Sequence, residues 1–184
     1  MYIEETPLTG LCIIKPEIVK DNRGTFMQLY RKDLFAEKSI PVTIVQQNQS
    51  SSVKDVIRGL HFQWDPILGK LIRVVRGKAF MVAADIRKKS STFGKWYGME
   101  FKGEEGLAMW APPGFATGFC VTGDIAEVEY LYTAIYNPEG ESNIVWNDPD
   151  IGIVWPTKNP ILSPRDSSAQ TLKEWTLRSE SDLF

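Results

Sequence analysis

Short runs of apolar and β-branched residues, each bounded by turn-forming residues, recur along most of the chain. The runs are LCIIK (11–15), TFMQLY (25–30), VTIVQQN (42–48), KLIRVVRG (70–77), AFMVAADI (79–86), LAMWA (107–111), GFCVT (118–122) and AEVEYLYTAIY (126–136). Segments such as DNRG (21–24), APPGF (111–115) and NPEGE (137–141) separate them. Such runs are typical of β-strands, and their near-regular spacing predicts an antiparallel sandwich or barrel, with a jelly roll as the best fit.

Helical patterns are few and short. RKDLFAEKS (31–39) predicts one helix, and a second could form near 167–175. A chain of 184 residues is long enough for one substantial core and short for two. Because the sequence has no repeat, low-complexity segment or linker, we expect residues 1–184 to form one all-β domain with short peripheral helices.

Composition and charge argue against several classes of protein. With 21 Lys and Arg against 23 Asp and Glu, the net charge is −2, so no basic field favours nucleic acid or an anionic membrane. No run of about eighteen apolar residues exists to span a bilayer, and the first ten residues do not resemble a secretory signal. The two cysteines, Cys12 and Cys120, lie in strand-like runs. We therefore expect reduced core thiols in a cytoplasmic protein.

The segment DVIRGLHFQ (55–63) contains His61, the only histidine of the chain. His61 is either a core histidine with a satisfied ring or the reactive group of a site. Metal sites in small β-barrels use two or three histidines, which this chain lacks, and no dense Asp and Glu spacing replaces them. No Gly-x-Ser-x-Gly segment indicates a serine hydrolase.

General acid–base catalysis fits these residues better, because it needs one base that titrates near neutrality and one acid on the other side of the substrate. His61 is the natural base. Arg58 and Lys70 could stabilise an oxyanion that forms when a proton leaves a carbon next to a carbonyl. Alternation in 126–136 places Tyr130 on one strand face with Val128 and Tyr132, which makes Tyr130 a candidate acid on an interior face.

Nine segments in collinear order resemble the dTDP-4-dehydrorhamnose 3,5-epimerase family. They are DNRGTF (21–26), VQQNQSSS (45–52), VIRGLHFQ (56–63), GKLIRVVRG (69–77), VAADIRKKSSTFGKW (82–96), PPGFATGF (112–119), YLYTAIYNPEGE (130–141), WNDPDIGIVWP (146–156) and LSPRD (162–166). The resemblance implies a cupin-like jelly roll that acts on a nucleotide sugar as a homodimer, without metal or organic cofactor. The N-terminal strands are then expected to extend the partner's sheet.

The resemblance also implies roles for individual residues. His61 matches the family's catalytic base, Asp166 the aspartate that orients it, Tyr130 the acid and Lys70 a lysine beside the reacting sugar. The substrate-binding positions implied in the same way are Arg23 at the diphosphate, Tyr136 at the nucleobase, Gln46 and Asn48 near the nucleotide or sugar, and Phe26, Gln28, Arg58, Thr117, Glu141 and Arg165.

Simpler interpretations stay open for some of these residues. Asp166 follows Ser and Pro, so it could cap a C-terminal turn. Tyr132 and Tyr136 could pack in the barrel, and Arg23 could be a solvated turn residue.

Two departures from the family pattern bear on specificity. Thr117 stands in GFATGF where the family has a histidine, whose usual partner corresponds to Asp85. Gln28 replaces an acidic residue near the expected nucleotide. The leading expectation is proton transfer at C3 and C5 of a dTDP-4-keto-6-deoxyhexose. A monofunctional 3- or 5-epimerase, a CDP or GDP sugar, and a nucleotide-sugar binder without activity stay open.

Overall fold

The computed structural model describes residues 1–40 and 43–184. The strands are β1 (Tyr2–Glu5), β2 (Cys12–Lys15), β3 (Ile18–Asp21), β4 (Gly24–Met27), β5 (Gln46–Val53), β6 (Ile57–Gln63), β7 (Lys70–Asp85), β8 (Trp96–Lys102), β9 (Ala108–Ala111), β10 (Phe115–Tyr132) and β11 (Glu141–Asn143). The helices are α1 (Lys32–Glu37), α2 (Pro164–Ser167) and α3 (Leu172–Thr176). In the part of the chain so described, no helix has the length and apolar character needed to cross a membrane.

Two long strands, β7 and β10, organise the molecule. The paired strands follow the order β1-β2-β9-β7-β10-β6-β11, while β5 also pairs with β10, β8 with β7, and β3 with β4 in a separate hairpin. The N-terminal part of β7 pairs with β9 and its C-terminal part with β8. The C-terminal part of β10 pairs with β5 and its N-terminal part with β6. Each long strand therefore passes from one half of a sandwich to the other.

We call the half that contains β2, β9 and β5 the first sheet, and the half that contains β8, β6 and β11 the second sheet. Their inner faces meet in a core that includes Ile72, Val74 and Val128 of the first sheet and Met81 and Phe119 of the second. Each of these five side chains is at most 2% exposed. The predicted antiparallel jelly roll with short peripheral helices is confirmed.

Several predicted boundaries were wrong. The runs 70–77 and 79–86 form one strand, because Lys78 between them pairs with Lys102 of β8. The runs 118–122 and 126–132 also form one strand, although its register with β7 shifts between Val121 and Ala126. The last predicted strand ends at Tyr132, so Tyr136 lies in the following loop. The strand predicted for 42–48 begins at Gln46, and Pro41 and Val42, where that prediction started, lie outside the described residues.

The two predicted helices are present, with different bounds. The helix expected over 31–39 is α1, which covers Lys32–Glu37. The region near 167–175 contains the end of α2 and most of α3, separated by a short turn. Strands β1, β3, β8 and β11 were not predicted, because their segments are very short or mix charged residues or glycine with apolar ones, and show no clean alternation.

A bulge in β6 determines which side chains face the space between the sheets. Residues three apart in a regular strand point to opposite faces. His61, however, pairs with Thr117 and Arg58 with Phe119, and the register shifts by one residue between these two pairs. Because Thr117 and Phe119 share a face of β10, their partners Arg58 and His61 also share one. The bulge thus brings both basic side chains to the same side.

Gly59 is the residue that the bulge requires. Its φ of 118° lies in the left-handed region, and a Cβ atom there would lie 2.7 Å from the Gly118 Cα and the Thr117 carbonyl oxygen. Both contacts are backbone atoms of β10, which cannot rotate away. Glycine is therefore needed at this position for its conformation and for the close approach of the two strands.

We predict that Gly59→Ala lowers the free energy of unfolding by roughly 2–4 kcal/mol, since it adds a steric clash to backbone strain. Gly24→Ala is the matched control, because Gly24 also has a positive φ of 131° but has open space around its Cβ position. Urea denaturation measures both variants. Equal losses of stability in the two variants would show that the close approach at Gly59 has no energetic consequence.

Candidate active site

A cavity of about 210 Å³ lies between the two sheets. The first sheet contributes Asn48, Ser50, Lys70, Ile72, Tyr130 and Tyr132 to its wall, and the second sheet contributes Arg58, His61, Met81, Thr117 and Phe119. The cavity is polar where Lys70 and His61 meet and apolar at Ile72 and Met81. Across residues 1–40 and 43–184, no group of three or more His, Cys, Asp or Glu side chains is placed to hold a metal ion.

His61 and Asp166 are in direct contact. The His61 Nε2 and Asp166 Oδ1 atoms lie 2.6 Å apart, although the residues are 105 positions apart in the sequence. The Asp166 side chain is buried, whereas about a third of the His61 side chain is exposed. An ionised carboxylate only accepts hydrogen bonds, so Nε2 carries the proton and donates it. The second ring nitrogen, Nδ1, is then the unprotonated one in the neutral ring and can act as a base.

The first turn of α2 holds Asp166 in place. Ser163 is the N-cap residue, and its hydroxyl accepts from the Asp166 amide and lies 3.0 Å from the Asp166 Oδ2 atom. Burial opposes ionisation of this carboxyl group, but hydrogen bonding and the charge of His61 lower the pKa of Asp166 below its ordinary value overall. Asp166 is therefore part of a turn cap and also a partner of His61, so both sequence interpretations describe real contacts.

Lys70 joins the two sheets at the cavity wall. Its Nζ atom donates to the His61 carbonyl oxygen at 2.9 Å and to the Thr117 hydroxyl at 3.3 Å. The same atom lies 5.8 Å from the centre of the Tyr132 ring. Because burial penalises the charged ammonium, the pKa of Lys70 falls to about 8. An ammonium has three N–H donors. Two of them bind the His61 carbonyl oxygen and the Thr117 hydroxyl, so the third is available to a ligand in the cavity.

Tyr130 enters the cavity from the first sheet, whereas His61 enters from the second. The Tyr130 hydroxyl lies 3.2 Å from the Ser50 hydroxyl. Burial raises the pKa of Tyr130 to about 12, so the phenol stays protonated at neutral pH and can donate a proton. A base and an acid thus face the same cavity from opposite walls, which is the arrangement that proton removal on one side and delivery on the other needs.

A second, smaller cavity of about 170 Å³ adjoins the first and shares His61, Lys70 and Tyr132 with it. Tyr136, Glu141 and Arg165 line its outer part. The Glu141 carboxylate accepts hydrogen bonds from the Tyr136 hydroxyl and the Arg165 guanidinium. Burial works against ionisation of Glu141, but Arg165 and Tyr136 hold its pKa below the ordinary value. These three side chains form a polar rim between the inner cavity and solvent.

Two more of the predicted binding residues lie near this polar rim. The Gln46 side chain accepts from the Tyr136 amide at 2.8 Å and donates to the Asn48 side chain at 3.2 Å. Arg58 instead lines the inner cavity and donates to the Ser52 hydroxyl at 3.0 Å. The structure therefore groups Gln46 and Asn48 with the rim residues, and Arg58 with the inner cavity.

Three other predicted binding residues are not part of this grouping. Arg23 and Phe26 belong to the exposed hairpin β3–β4 and, with Val19 and Asp21, line a separate surface depression. The Arg23 guanidinium is paired with Asp21, and Gln28 follows the hairpin as an exposed loop residue. Within one chain, the structure does not bring these side chains to the cavity that contains His61.

Asp85 does not contact Thr117, as expected where threonine replaces the family's histidine, and it has other partners. Asp85 is fully buried at the end of β7, where its carboxylate accepts hydrogen bonds from Arg87, Ser90 and Thr92. The β7 residues that line the cavity with Thr117 are Lys70, Ile72 and Met81, and Lys70 contacts the Thr117 hydroxyl. Met81 is the nearest of them to Asp85 in sequence, and a distance of four residues, roughly 13 Å along a strand, separates the two.

Sequence reasoning missed Ser50, Ile72 and Met81 as cavity residues. Ser50 stands in a polar run without regular spacing, so nothing distinguished it from its neighbours. Ile72 lies two residues after Lys70, so both side chains point to the same face of the strand. This spacing could have identified Ile72 as a cavity residue. Met81 lies in an apolar run, and such a pattern does not distinguish a residue of the packed core from one that lines a cavity.

Comparisons with known proteins identify the family of the chain. A model of the family described as dTDP-4-dehydrorhamnose 3,5-epimerase matches residues 5–174. A dTDP-4-dehydrorhamnose 3,5-epimerase from Neisseria gonorrhoeae is 46% identical over 184 residues, which is 100% of this chain and 55% of that protein. This chain thus spans about half the length of that relative.

Two further similarities bear on the site. A dTDP-4-dehydrorhamnose 3-epimerase from Streptomyces niveus is 38% identical, with 95% of this chain and 85% of that protein covered. The crystal structure of a dTDP-6-deoxy-D-glucose-3,5-epimerase from Legionella pneumophila, in complex with dTDP-4-keto-L-rhamnose, superposes with a TM-score of 0.89 at 41% identity. That similarity covers 94% of this chain and 93% of the other.

The lowered pKa of Lys70 predicts how stability depends on pH. Between a folded pKa of about 8 and the ordinary value of 10.5, the unfolded chain binds more protons, so stability rises with pH across this range. We expect the free energy of unfolding of the wild type to increase from pH 8 to 10 relative to Lys70→Met. Denaturant titrations at several pH values measure this difference, and parallel pH profiles for the two proteins would contradict a perturbed Lys70.

Proposed function

The chain belongs to the dTDP-4-dehydrorhamnose 3,5-epimerase family, and we propose that it inverts C3 and C5 of a dTDP-4-keto-6-deoxyhexose, a step in the biosynthesis of rhamnose-type deoxysugars. The observation that supports this proposal most strongly is the placement of His61, paired with Asp166, and Tyr130 on opposite walls of one cavity. The family membership supports the type of reaction, and the geometry supports the choice of residues.

The chemistry begins with the C4 ketone, which acidifies the hydrogens on both neighbouring carbons. His61 Nδ1 takes one of these protons, and the electron pair of the broken C–H bond forms an enolate whose negative charge rests on the former ketone oxygen. Tyr130 then delivers a proton to the opposite face of the same carbon, and the enolate returns to the ketone. His61 and Tyr130 recover their protonation states by exchange with solvent. The centre is inverted, and repetition at the other carbon inverts the second.

Lys70 is the residue placed to stabilise the enolate. Its third N–H group is left for the enolate oxygen, because two others bind the His61 carbonyl and Thr117. A fixed donor in a buried site stabilises a developing negative charge more strongly than water does. Its pKa of about 8 means that Lys70 is largely protonated at neutral pH.

The nucleotide lies, in this proposal, across the polar rim of Tyr136, Glu141 and Arg165, with Gln46 and Asn48 next to it. Of the possible nucleotides we favour dTDP, since the relatives act on dTDP sugars by name. We further propose that residues 1–184 act as one cytoplasmic enzyme domain, a setting that agrees with the two buried free thiols of Cys12 and Cys120.

A homodimer accounts for the binding residues that lie far from the cavity. Because Arg23, Phe26 and Gln28 are remote from His61 in their own chain, we propose that hairpin β3–β4 reaches the cavity of a second copy. In that arrangement Arg23 exchanges its pairing with Asp21 for the substrate diphosphate. The exposed aromatic ring of Phe26, 73% accessible in the single chain, would be covered at the same time.

A monofunctional epimerase is the second candidate, and the observation that favours it is Thr117. A threonine hydroxyl cannot carry positive charge, and here it is engaged by Lys70. The two enolates, which extend to opposite sides of C4, need not be stabilised equally without an ionisable group at this position. A binding protein without activity is less well supported, because binding alone does not require a paired base and a separate acid.

The test of the main proposal is hydrogen exchange. We expect wild-type protein to incorporate solvent deuterium at C3 and C5 of dTDP-4-keto-6-deoxyglucose, as measured by NMR. His61→Asn should lower both rates on the order of a hundredfold or more, the usual effect of removing a general base. Tyr130→Phe should slow formation of the inverted product, whereas Tyr97→Phe, which removes a phenol outside the cavity, serves as its control. Undiminished exchange in His61→Asn would rule out this base.

Thr117 predicts unequal exchange at the two carbons. We expect C3 to exchange faster than C5 in the wild type, and Thr117→His to bring the C5 rate closer to that of C3. Thr117→Ser, which keeps the hydroxyl, should preserve the wild-type ratio. Rapid and equal exchange at both carbons in the wild type would show that threonine at this position is a neutral substitution.

The dimer proposal predicts complementation between two inactive variants. Sedimentation should give twice the mass of the 20.8 kDa chain. When His61→Asn and Arg23→Ala subunits are mixed and re-associated, one site of each hybrid dimer has both an intact His61 and an intact Arg23, so we expect partial recovery of activity. A monomeric mass, or no recovery despite hybrid formation, would contradict a contribution across the dimer.

A further inference from the structure

The cavity contains a second phenol, Tyr132, which the proposed proton transfers do not use. Tyr132 lies two residues after Tyr130 on β10, so both side chains point to the same face of the strand. Their ring centres are 6.3 Å apart. Tyr132 lines the inner cavity and also the smaller cavity next to it. Its ring therefore lies where the two cavities meet.

Strand pairing makes Tyr132 the neighbour of Lys70. The two residues are direct partners in the register between β10 and β7, whereas Tyr130 is the partner of Ile72. Side chains of directly opposed residues start about 4.5–5.5 Å apart on the same face of a sheet. The Lys70 Nζ atom lies 5.8 Å from the centre of the Tyr132 ring. The phenol and the ammonium group thus enter the cavity side by side.

A chain of hydrogen bonds that begins at the polar rim determines the role of the Tyr132 hydroxyl. A backbone N–H group only donates, so the Gln46 oxygen accepts from Tyr136, and the Gln46 amide nitrogen donates to the Asn48 oxygen. Burial raises the pKa of Tyr132, and a hydrogen bond with the Asn48 side chain opposes this effect. A bond that favours the phenolate is one that the phenol oxygen accepts. The Tyr132 proton is therefore left for a ligand.

The enolate oxygen of the proposed reaction forms close to Lys70, which has one N–H group left for it. An oxygen with a full negative charge accepts more than one hydrogen bond. Each fixed donor in a site shielded from water lowers the energy of the enolate relative to that of the ketone. A neutral phenol beside the ammonium group is a donor of this kind. Because its pKa is raised, Tyr132 keeps its proton at neutral pH.

We propose that Tyr132 is a second oxyanion donor, whose hydroxyl binds the C4 oxygen of the substrate together with Lys70. This inference rests on the proposed function, since it takes a 4-keto sugar as the ligand. Tyr132 keeps its O–H bond throughout, and its hydrogen bond strengthens as the ketone becomes the enolate. The C4 oxygen carries the charge of both enolates, whichever neighbouring carbon has lost its proton. Tyr132 therefore assists both epimerisations to the same extent.

The experiment is deuterium exchange with Tyr132→Phe, which removes the hydroxyl and keeps the ring. At saturating dTDP-4-keto-6-deoxyglucose, we expect the exchange rates at C3 and C5 to fall by the same factor, roughly a hundredfold, as is usual for the loss of one oxyanion donor. The affinity for dTDP, measured by calorimetry, should stay at the wild-type value, because dTDP has no sugar attached to its second phosphate. Tyr97→Phe, which removes a phenol outside the cavity, should change neither quantity.

The single imidazole of the chain provides the control for an indirect effect. NMR should show that His61 keeps its proton on Nε2 in Tyr132→Phe. A changed tautomer would mean that Tyr132 acts through the base, and this would overturn the inference. Unchanged exchange rates, a loss at one carbon only, or weaker dTDP binding with unchanged exchange at saturation would overturn it as well.

Near-UV circular dichroism checks that the variant is folded. If Tyr132→Phe does not fold, Asn48→Leu removes the donor that orients the phenol, and both exchange rates should fall by a common, smaller factor. Unchanged or unequal rates in that variant would overturn the inference. Exchange in the wild type tests the proposed function by itself. A wild type without exchange therefore differs from a failed inference, in which the wild type exchanges both hydrogens.

Discussion

The hydrogen bond between His61 and Asp166 is the interaction on which the rest of the site depends. It joins strand β6 of the second sheet to the short helix α2 across 105 positions of sequence. Because the chain has one histidine, no second imidazole can replace it as a base. The buried carboxylate determines which ring nitrogen carries the proton, and thereby leaves the other free to accept one from a substrate. The Ser163 cap keeps this carboxylate in position, so the start of a short helix fixes a side chain that is distant in sequence.

The two-sheet architecture gives the cavity two opposite walls. Because β7 and β10 run through both sheets, each sheet presents side chains to the same narrow space. Lys70 bridges the sheets by donating to the His61 carbonyl, which ties the position of its ammonium group to the strand that carries His61. Tyr130 faces them from β10 with its proton retained by burial. The residues proposed as base, acid and oxyanion stabiliser are thus all held on paired strands.

Much of this organisation could be predicted from residue patterns. The alternation around Tyr130 indicated an interior strand face, and the segments around His61, Lys70 and Asp166 indicated which residues to consider together. Regular alternation of side chains along a strand could not predict that Arg58 and His61 share a face. Their common orientation depends on a bulge at Gly59, which forms only when β6 pairs with β10. The partners that Asp85 has in place of the family's histidine could not be predicted either, since they come from the loop that follows β7. The position of hairpin β3–β4 relative to the cavity is likewise a property of tertiary structure, or of a second chain.

The hydrogen bond from His61 to Asp166 holds the ring as the Nε2-protonated tautomer, which leaves Nδ1 free to act as the proposed base. Because His61 is the only histidine, ¹⁵N labelling of histidine gives one imidazole spin system, and long-range ¹H–¹⁵N correlations identify the protonated nitrogen directly. We expect the neutral ring to carry its proton on Nε2 in the wild type and to become a mixture of tautomers in Asp166→Ala. A wild-type ring protonated on Nδ1, or a tautomer that does not change when Asp166 is removed, would contradict the account.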